Sequence, residues 1–132
     1  MYAGVKIIFL KETKVIEYHA RLIERFGGSF GLRDAGALES ALAAAPNRSH
    51  YEGADVVKCA ATYAYHLSQA HAFIDGNKRI AAAIMELFLN INQASLQASD
   101  AEVENLILGI AAGRITRDEA ERILSQRVVI AN

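Results

Sequence analysis

The stretch from Ala54 to Ala70 is the feature that most restricts the fold of this chain. Its apolar residues recur at helical spacing around most of a helix circumference, which predicts a buried central helix. A second helical pattern starts just after Gly76, and its apolar residues share one face: Ile80, Ile84, Leu87, Phe88 and Ile91. The sequence therefore predicts two central helices inside a helical bundle.

The loop between these helices, with the first residues of the second one, is the segment His71–Arg79 (HAFIDGNKR). The first N–H groups of a helix have no intrahelical partner, and together with the helix dipole they can bind an anion. Gly76 lets a ligand approach the backbone. Lys78 supplies a point charge, and Arg79 supplies a planar fork that suits two phosphate oxygens. The segment therefore predicts a phosphate-binding site.

The remaining side chains of this segment point to catalysis. Asp75 offers hard oxygen ligands to a magnesium ion that is also held by phosphates. The imidazole of His71 can accept the proton of an attacking hydroxyl. Phe73 is predicted to anchor the loop on the core, and Asn77 to brace it through hydrogen bonds to the backbone. A base, a metal ligand and a phosphate site together indicate phosphoryl or nucleotidyl transfer.

This segment resembles the signature of the Fic/Doc superfamily, H-x-F-x-[DE]-G-N-G-R-x-x-R, and matches it from His71 through Asn77. It departs from the Fic pattern at Lys78, where that pattern has its second glycine, and at Ala82, where it has its second arginine. Both departures are shared with the death-on-curing (Doc) branch. Three further stretches resemble that branch, so that the resemblance covers most of residues 12–126: Ile16–Gly28, Gly31–Leu42 and Ala111–Thr116.

The resemblance implies an all-α Fic/Doc fold, a bundle of about six helices in one domain over residues 1–132. It also implies a toxin that transfers a phosphoryl group from ATP, with magnesium, to a protein hydroxyl. The target known for the family is elongation factor Tu, whose modification halts translation.

Two alternatives to this reaction stay open. Fic enzymes with the full pattern transfer AMP, because their second glycine leaves room for the nucleotide phosphates and their second arginine helps to hold them. In the Doc branch, the residues found here at Lys78 and Ala82 accompany a nucleotide bound in the opposite sense. The other alternative is a catalytically inactive helical module that binds an antitoxin or another partner.

Some Fic enzymes inhibit themselves with a helix of pattern [ST]-x-x-x-E-[GN]. The candidate in this chain is Glu104-Asn105, but Asp100 stands where serine or threonine is required. The sequence therefore predicts no built-in inhibitor. We expect control by a separate antitoxin that lays a helical segment into a groove by apolar anchors.

Composition and charge exclude several other classes of protein. With 52% apolar and 22% charged residues the chain is globular, and a net charge of -1 without a basic helix argues against direct nucleic-acid binding. No stretch approaches the ~20 apolar residues of a membrane span, and no signal peptide is evident. We therefore expect a cytoplasmic protein. Cys59, the single cysteine, excludes an intrachain disulfide and is expected to be a buried, unreactive thiol.

Four other helices are predicted, over about 13–26, 35–45, 100–112 and 117–126. The first ends at Gly27 and the second at Pro46. The last two begin with capping boxes, in Ser99–Glu102 and Thr116–Glu119.

Several stretches receive weaker predictions. Residues 46–53 are predicted to be a polar loop, which the resemblance equates with a flap that holds the target's backbone beside the motif; an ordinary exposed loop is the alternative. Val5–Leu10 is a candidate strand. The apolar tail Val128–Ala131 is expected to form an edge strand or to meet a partner. His19 is interpreted as a packed or surface histidine, and His66, which is not part of the motif, as a satisfied core histidine.

Overall fold

A computed structural model describes residues 6–131, and six helices lie within that range. They are α1 (Glu12–Phe26), α2 (Ala35–Glu52), α3 (Val56–Ala70), α4 (Asn77–Ile91), α5 (Asp100–Ala111) and α6 (Arg117–Ser125). Two strands of three residues, β1 (Ala94–Leu96) and β2 (Val128–Ile130), complete the fold. The prediction of an all-α bundle of about six helices is confirmed. None of the helices described is long and apolar enough to cross a membrane.

Helix α3 lies at the centre and packs against α2, α4, α5 and α6. Most of its buried residues are small, and Ala60, Ala61 and Ala64 are completely buried, so neighbouring helices can approach closely. Cys59 is buried as well, and burial raises the pKa of its thiol to about 11, which leaves it protonated and unreactive near neutral pH. The prediction of a buried central helix is confirmed, and Cys59 is buried as expected.

The predicted loop at residues 46–53 and the predicted helix end at Pro46 are wrong. Helix α2 continues through Pro46 to Glu52 and ends at Gly53, whose φ is 66°. The reason is tertiary: Arg48 donates from Nη1 to the Thr62 hydroxyl and to a Glu121 carboxylate oxygen, both at 2.8 Å. These contacts offset the hydrogen bond that proline removes. Because Arg48 lies beside the middle of α3, this segment cannot be the flap expected next to the motif.

The two chain ends also differ in their outcomes. Val5, the first residue of the candidate strand, lies outside the described residues, and Lys6 to Leu10 form no strand. Ile8 pairs with the side chain of Asn92 instead, through its N–H (2.8 Å) and its carbonyl (2.9 Å). At the other end, β2 pairs antiparallel with β1, so the tail forms a strand.

Both predicted capping boxes are present and open α5 and α6. In each one the serine or threonine hydroxyl accepts from the N–H of the glutamate three residues later, and that glutamate accepts from the cap N–H. His66 is half-buried, with its Nε2 3.3 Å from Arg117, and burial lowers the pKa of its imidazole. This agrees with the interpretation of His66 as a packed histidine.

Candidate active site

The segment His71–Arg79 lies at the junction of the two central helices. His71 follows the last residue of α3 in the left-handed conformation (φ 48°, ψ 42°), a common way to end a helix. Helix α4 then begins at Asn77. The loop predicted between His71 and Gly76 is therefore present, and its exposed histidine is attached directly to the most buried helix of the fold.

A cavity of about 300 Å³, here called the motif cavity, opens at this junction. Every predicted site residue except Phe73 lines it. The lining comprises Ser68, His71, Ile74, Asp75, Gly76, Asn77, Lys78, Arg79 and Ala111. The fold thus brings the candidate base, metal ligand and phosphate ligands to one concave surface.

The start of α4 differs from the starts of most other helices in this fold. Asp34, Asp55, Ser99 and Thr116 cap α2, α3, α5 and α6 with side-chain oxygens. Gly76, at φ 73°, precedes α4 and receives no side-chain cap from any described residue. Its conformation leaves the first N–H groups of α4 available to a ligand, beside the exposed cations Lys78 and Arg79.

The carboxylate of Asp75 is held by two backbone N–H groups. Ser29 donates to its Oδ2 (3.1 Å) and Gly76 to its Oδ1 (2.8 Å), and these hydrogen bonds hold the pKa of Asp75 below its ordinary value. The group is therefore ionised near neutral pH. No cluster of three metal-binding side chains occurs among residues 6–131. One exposed carboxylate suits magnesium, which commonly takes its other ligands from phosphates and water.

Asn77 and Phe73 close the loop on itself. The Asn77 amide oxygen accepts from the Phe73 N–H (3.0 Å), and the amide nitrogen donates to the Phe73 carbonyl (2.9 Å). The Phe73 side chain is 1% exposed and belongs to the hydrophobic core. The polar residues of the loop are therefore displayed from a backbone that is attached to the core at its middle.

The sequence analysis missed His19, which supports the same loop from α1. Its ring is 2% exposed and stacks on Phe73 with 3.8 Å between ring centroids, and its Nε2 donates to the Asp75 carbonyl at 2.7 Å. A signal did exist in the sequence. His19 stands four residues from both Val15 and Ile23, so it lies on the buried face of α1, and a buried polar group requires a partner.

A second missed element is the segment from Gly27 to Asp34, here called the flanking segment. It runs antiparallel to the motif loop: the Ile74 N–H donates to the Gly31 carbonyl (3.0 Å), and the N–H groups of Arg33 and Asp34 donate to the Ala72 carbonyl (2.7 and 3.0 Å). With the Ser29 contact to Asp75, this segment occupies the position beside the motif that residues 46–53 were expected to fill.

A larger cavity of about 600 Å³ lies on the other side of Lys78 and Arg79, between α4 and α5. Phe26 and Arg79 both line this cavity, and the guanidinium carbon of Arg79 lies 4.7 Å from the ring centroid of Phe26. The lining of the cavity is mostly apolar and includes three acidic side chains. The lining residues are Phe26, Lys78, Arg79, Ala82, Ala83, Glu86, Asp100, Val103, Glu104, Ile107 and Leu108. We refer to it as the α4–α5 groove.

The class of protein is indicated by an all-α bundle with a polar, glycine-containing loop at the uncapped start of a central helix. The model of the Fic/DOC family matches residues 9–89, which is more than half of the chain. The chain therefore belongs to the Fic/DOC family, as the motif resemblance implied.

Two relatives specify the branch to which this chain is similar. The chain is 34% identical over 108 residues to "Protein kinase doc" of Escherichia phage P1, covering 81% of this chain and 85% of that protein. It is 40% identical over 83 residues to "Toxin Doc" of Mycolicibacterium smegmatis, covering 60% of this chain and 62% of that protein. Both similarities agree with the Doc-like departures at Lys78 and Ala82.

Proposed function

We propose that this protein is the toxin of a toxin–antitoxin pair and that it transfers the γ-phosphoryl group of ATP to a hydroxyl of a protein. The observation that carries the proposal is the motif cavity, which gathers His71, Asp75 and the uncapped start of α4. The names of the two relatives, a protein kinase and a toxin, support the same reaction and the same biological role.

His71 is the general base in this proposal. Its imidazole accepts the proton of the target hydroxyl while the hydroxyl oxygen forms a bond to the γ-phosphorus, and the bond from that phosphorus to the β-phosphate oxygen breaks to release ADP. His71 is exposed at the cavity wall, so a hydroxyl on another protein can reach it. The reaction needs no group beyond ATP, its metal ion and the target hydroxyl.

Asp75 is proposed to hold magnesium, because its carboxylate is exposed, ionised and fixed by Ser29 and Gly76. When bound, magnesium neutralises charge on the phosphates. The phosphate oxygens themselves bind to the first N–H groups of α4, from Asn77 to Arg79, and to the two cations of that turn. Gly76 permits the close approach, and Asn77 keeps the loop folded while it is occupied.

Lys78 and Ala82 favour γ-phosphoryl transfer over AMP transfer. Lys78 is exposed and takes up space in the phosphate site where an AMP-transferring Fic site has glycine. Ala82 lacks the second arginine, and a charged hydrogen bond of that kind contributes about 1.5–3 kcal/mol. We propose that ATP therefore binds in the reversed sense, with its terminal phosphate between Asp75 and His71.

Labelled ATP distinguishes phosphoryl transfer from AMP transfer. For this test the protein is incubated with magnesium, a cell extract and ATP labelled on either the α- or the γ-phosphate. We expect protein-bound label from the γ position alone, and none with His71→Ala. Label from the α position would replace the kinase assignment with AMP transfer. Label from neither position would favour the inactive binding module. Purified elongation factor Tu, the proposed substrate in the cytoplasm, is the first single target to test.

The flanking segment and the α4–α5 groove provide two surfaces for partners. We propose that the target's backbone lies beside the flanking segment, which adjoins Asp75 through Ser29. We propose that the antitoxin places a helical segment in the α4–α5 groove, where apolar anchors meet Val103, Ile107 and Leu108. An antitoxin bound there would contact Lys78 and Arg79 directly and could displace the nucleotide phosphates.

A further inference from the structure

Ser68, one turn before His71, carries a hydroxyl that the fold leaves without a partner. The residue is 1% exposed, and its Oγ forms no hydrogen bond to any atom of the described residues. Buried polar groups without a partner are rare in folded proteins, and each one needs a reason. The same helix shows the ordinary situation at Thr62, whose buried hydroxyl donates to the Lys58 carbonyl (2.7 Å) and accepts from Arg48 (2.8 Å).

The position of Ser68 suggests what the missing partner is. Ser68 is one of the residues that line the motif cavity, together with His71 and Ala111 of α5. The same cavity is lined by the uncapped start of α4 with Lys78 and Arg79, whose free N–H groups and positive charges favour an anion. The Ser68 hydroxyl is thus a buried neutral donor beside a group of positive charges that suits negatively charged oxygen. No step of the proposed mechanism uses the Ser68 hydroxyl.

We propose that Ser68 donates a hydrogen bond to a phosphate oxygen of the ligand in the motif cavity, after its side chain turns into the cavity. A serine side chain exchanges among three staggered rotamers, and this one breaks no hydrogen bond to the protein when it turns. The inference deepens the proposed function and rests on it, because it requires a phosphate-bearing ligand at this site.

Ser68→Ala removes the hydroxyl and little else, and Thr62→Val is the matched control that removes a satisfied hydroxyl from the same helix. Without ligand, Ser68→Ala should keep or raise the melting temperature, by roughly 2–4 °C, since an unpaired polar group is removed. Thr62→Val should lower it, because the variant leaves the Lys58 carbonyl and Arg48 each short of a partner.

The decisive measurement is calorimetric binding of two probes with magnesium: the non-hydrolysable ATP analogue adenylyl imidodiphosphate, and inorganic tripolyphosphate. Ser68→Ala should weaken both by about tenfold, because a hydrogen bond to a charged oxygen is lost. Thr62→Val should bind both like the unaltered protein. If Ser68→Ala weakened the binding of the ATP analogue but not of tripolyphosphate, Ser68 would contact the nucleoside rather than a phosphate, and the inference would be overturned.

Three other outcomes would overturn it as well. A lower melting temperature for ligand-free Ser68→Ala would show that the hydroxyl has a protein partner. Unchanged binding with an altered pH profile of transfer would mean that Ser68 acts on His71. Unchanged binding, pH profile and rate would mean that the hydroxyl has no function. If the unaltered protein binds both probes but transfers no label, the proposed function fails while tenfold weaker binding by Ser68→Ala still supports the inference.

Discussion

The imidazole of His19 lies flat against the ring of Phe73, with 3.8 Å between centroids and 13° between planes. The same imidazole donates from Nε2 to the carbonyl oxygen of Asp75 at 2.7 Å. Helix α1 therefore fixes the backbone of Asp75, the proposed magnesium ligand, while Ser29 and Gly76 fix its side chain. Contacts from α1, from the flanking segment and from the motif loop itself therefore hold Asp75 in place.

His19→Phe should keep the stacking on Phe73 and lose the hydrogen bond to Asp75. We expect transfer to slow by about fivefold to tenfold, in line with the loss of about 1 kcal/mol from one hydrogen bond. The magnesium concentration for half-maximal rate should rise. His19→Gln, which keeps a donor, should restore part of the magnesium response. If His19→Phe lowered the melting temperature but left the magnesium response unchanged, His19 would contribute only to the packing of the core.

His71→Ala should slow the proposed phosphoryl transfer by about 100-fold or more, because it removes the proposed general base. His71→Asn is a useful second variant, since asparagine tolerates the left-handed conformation that His71 adopts (φ 48°). His50→Ala, a substitution of an exposed histidine on α2, is the control and should leave the rate unchanged. Transfer is measured with γ-labelled ATP, and folding by circular dichroism. Normal turnover in both His71 variants would remove the histidine from the mechanism.

Asp75→Asn should raise the magnesium concentration that the reaction needs, with little change in fold, because the side chain is exposed. The pKa of Asp75 is lowered in the folded protein, first by the Ser29 hydrogen bond, so its ionisation stabilises the fold above the unfolded pKa of roughly 4. That contribution is lost as pH falls through the lower folded pKa. Unfolding measured from pH 7 to pH 2 should therefore show a steeper loss of stability below pH ~4 for the unaltered protein than for the variant.

Arg48→Ala should destabilise the protein without changing its chemistry. Its guanidinium pairs with Glu121, and the side chains are only 11% and 14% exposed, so removal leaves a largely buried carboxylate without its cation. We expect a loss of about 2–3 kcal/mol in urea unfolding. The double variant R48M/E121Q should recover part of that loss. If Arg48→Ala were as stable as the unaltered protein, water would be replacing Arg48 as the hydrogen-bond partner of the Glu121 carboxylate.

Leu108→Arg should prevent neutralisation by the antitoxin while transfer continues. Leu108 is 37% exposed on the wall of the α4–α5 groove, so an arginine would place a charge among the apolar anchors. Ile123→Arg changes a similarly exposed residue (40%) outside that groove and serves as the control. Growth is followed with each variant expressed alone and together with the separate antitoxin that is expected for this protein. Rescue of growth in both variants would place the antitoxin elsewhere.

What the sequence could predict was local. The two central helices follow from apolar spacing, and the loop from His71 to Gly76 follows from where that spacing stops and restarts. Both capping boxes span four residues and fold as expected. In each case the residues that decide the structure are neighbours in the chain.

The features that the sequence could not predict depend on contacts between residues that are far apart in the chain. Pro46 marks a helix end by local rules, yet α2 continues because Arg48 meets Glu121, 73 residues later. His19 joins the site through Asp75, 56 residues away, and Ser29 does so across 46 residues. A single sequence contains no spacing rule that connects such pairs, so the supports of the loop became visible only in the fold.

Gly28 limits how far the nine-residue motif can be used to recognise activity in genomes. A Cβ atom at this position, where φ is 117°, would stand 2.7 Å from Oδ2 of Asp75. Any other amino acid there would displace either the carboxylate or the backbone that holds it. A protein with the complete sequence HAFIDGNKR would still hold its aspartate carboxylate in a different position if a side chain occupied the position of Gly28. Searches for active members of this kind should therefore require the glycine together with the motif.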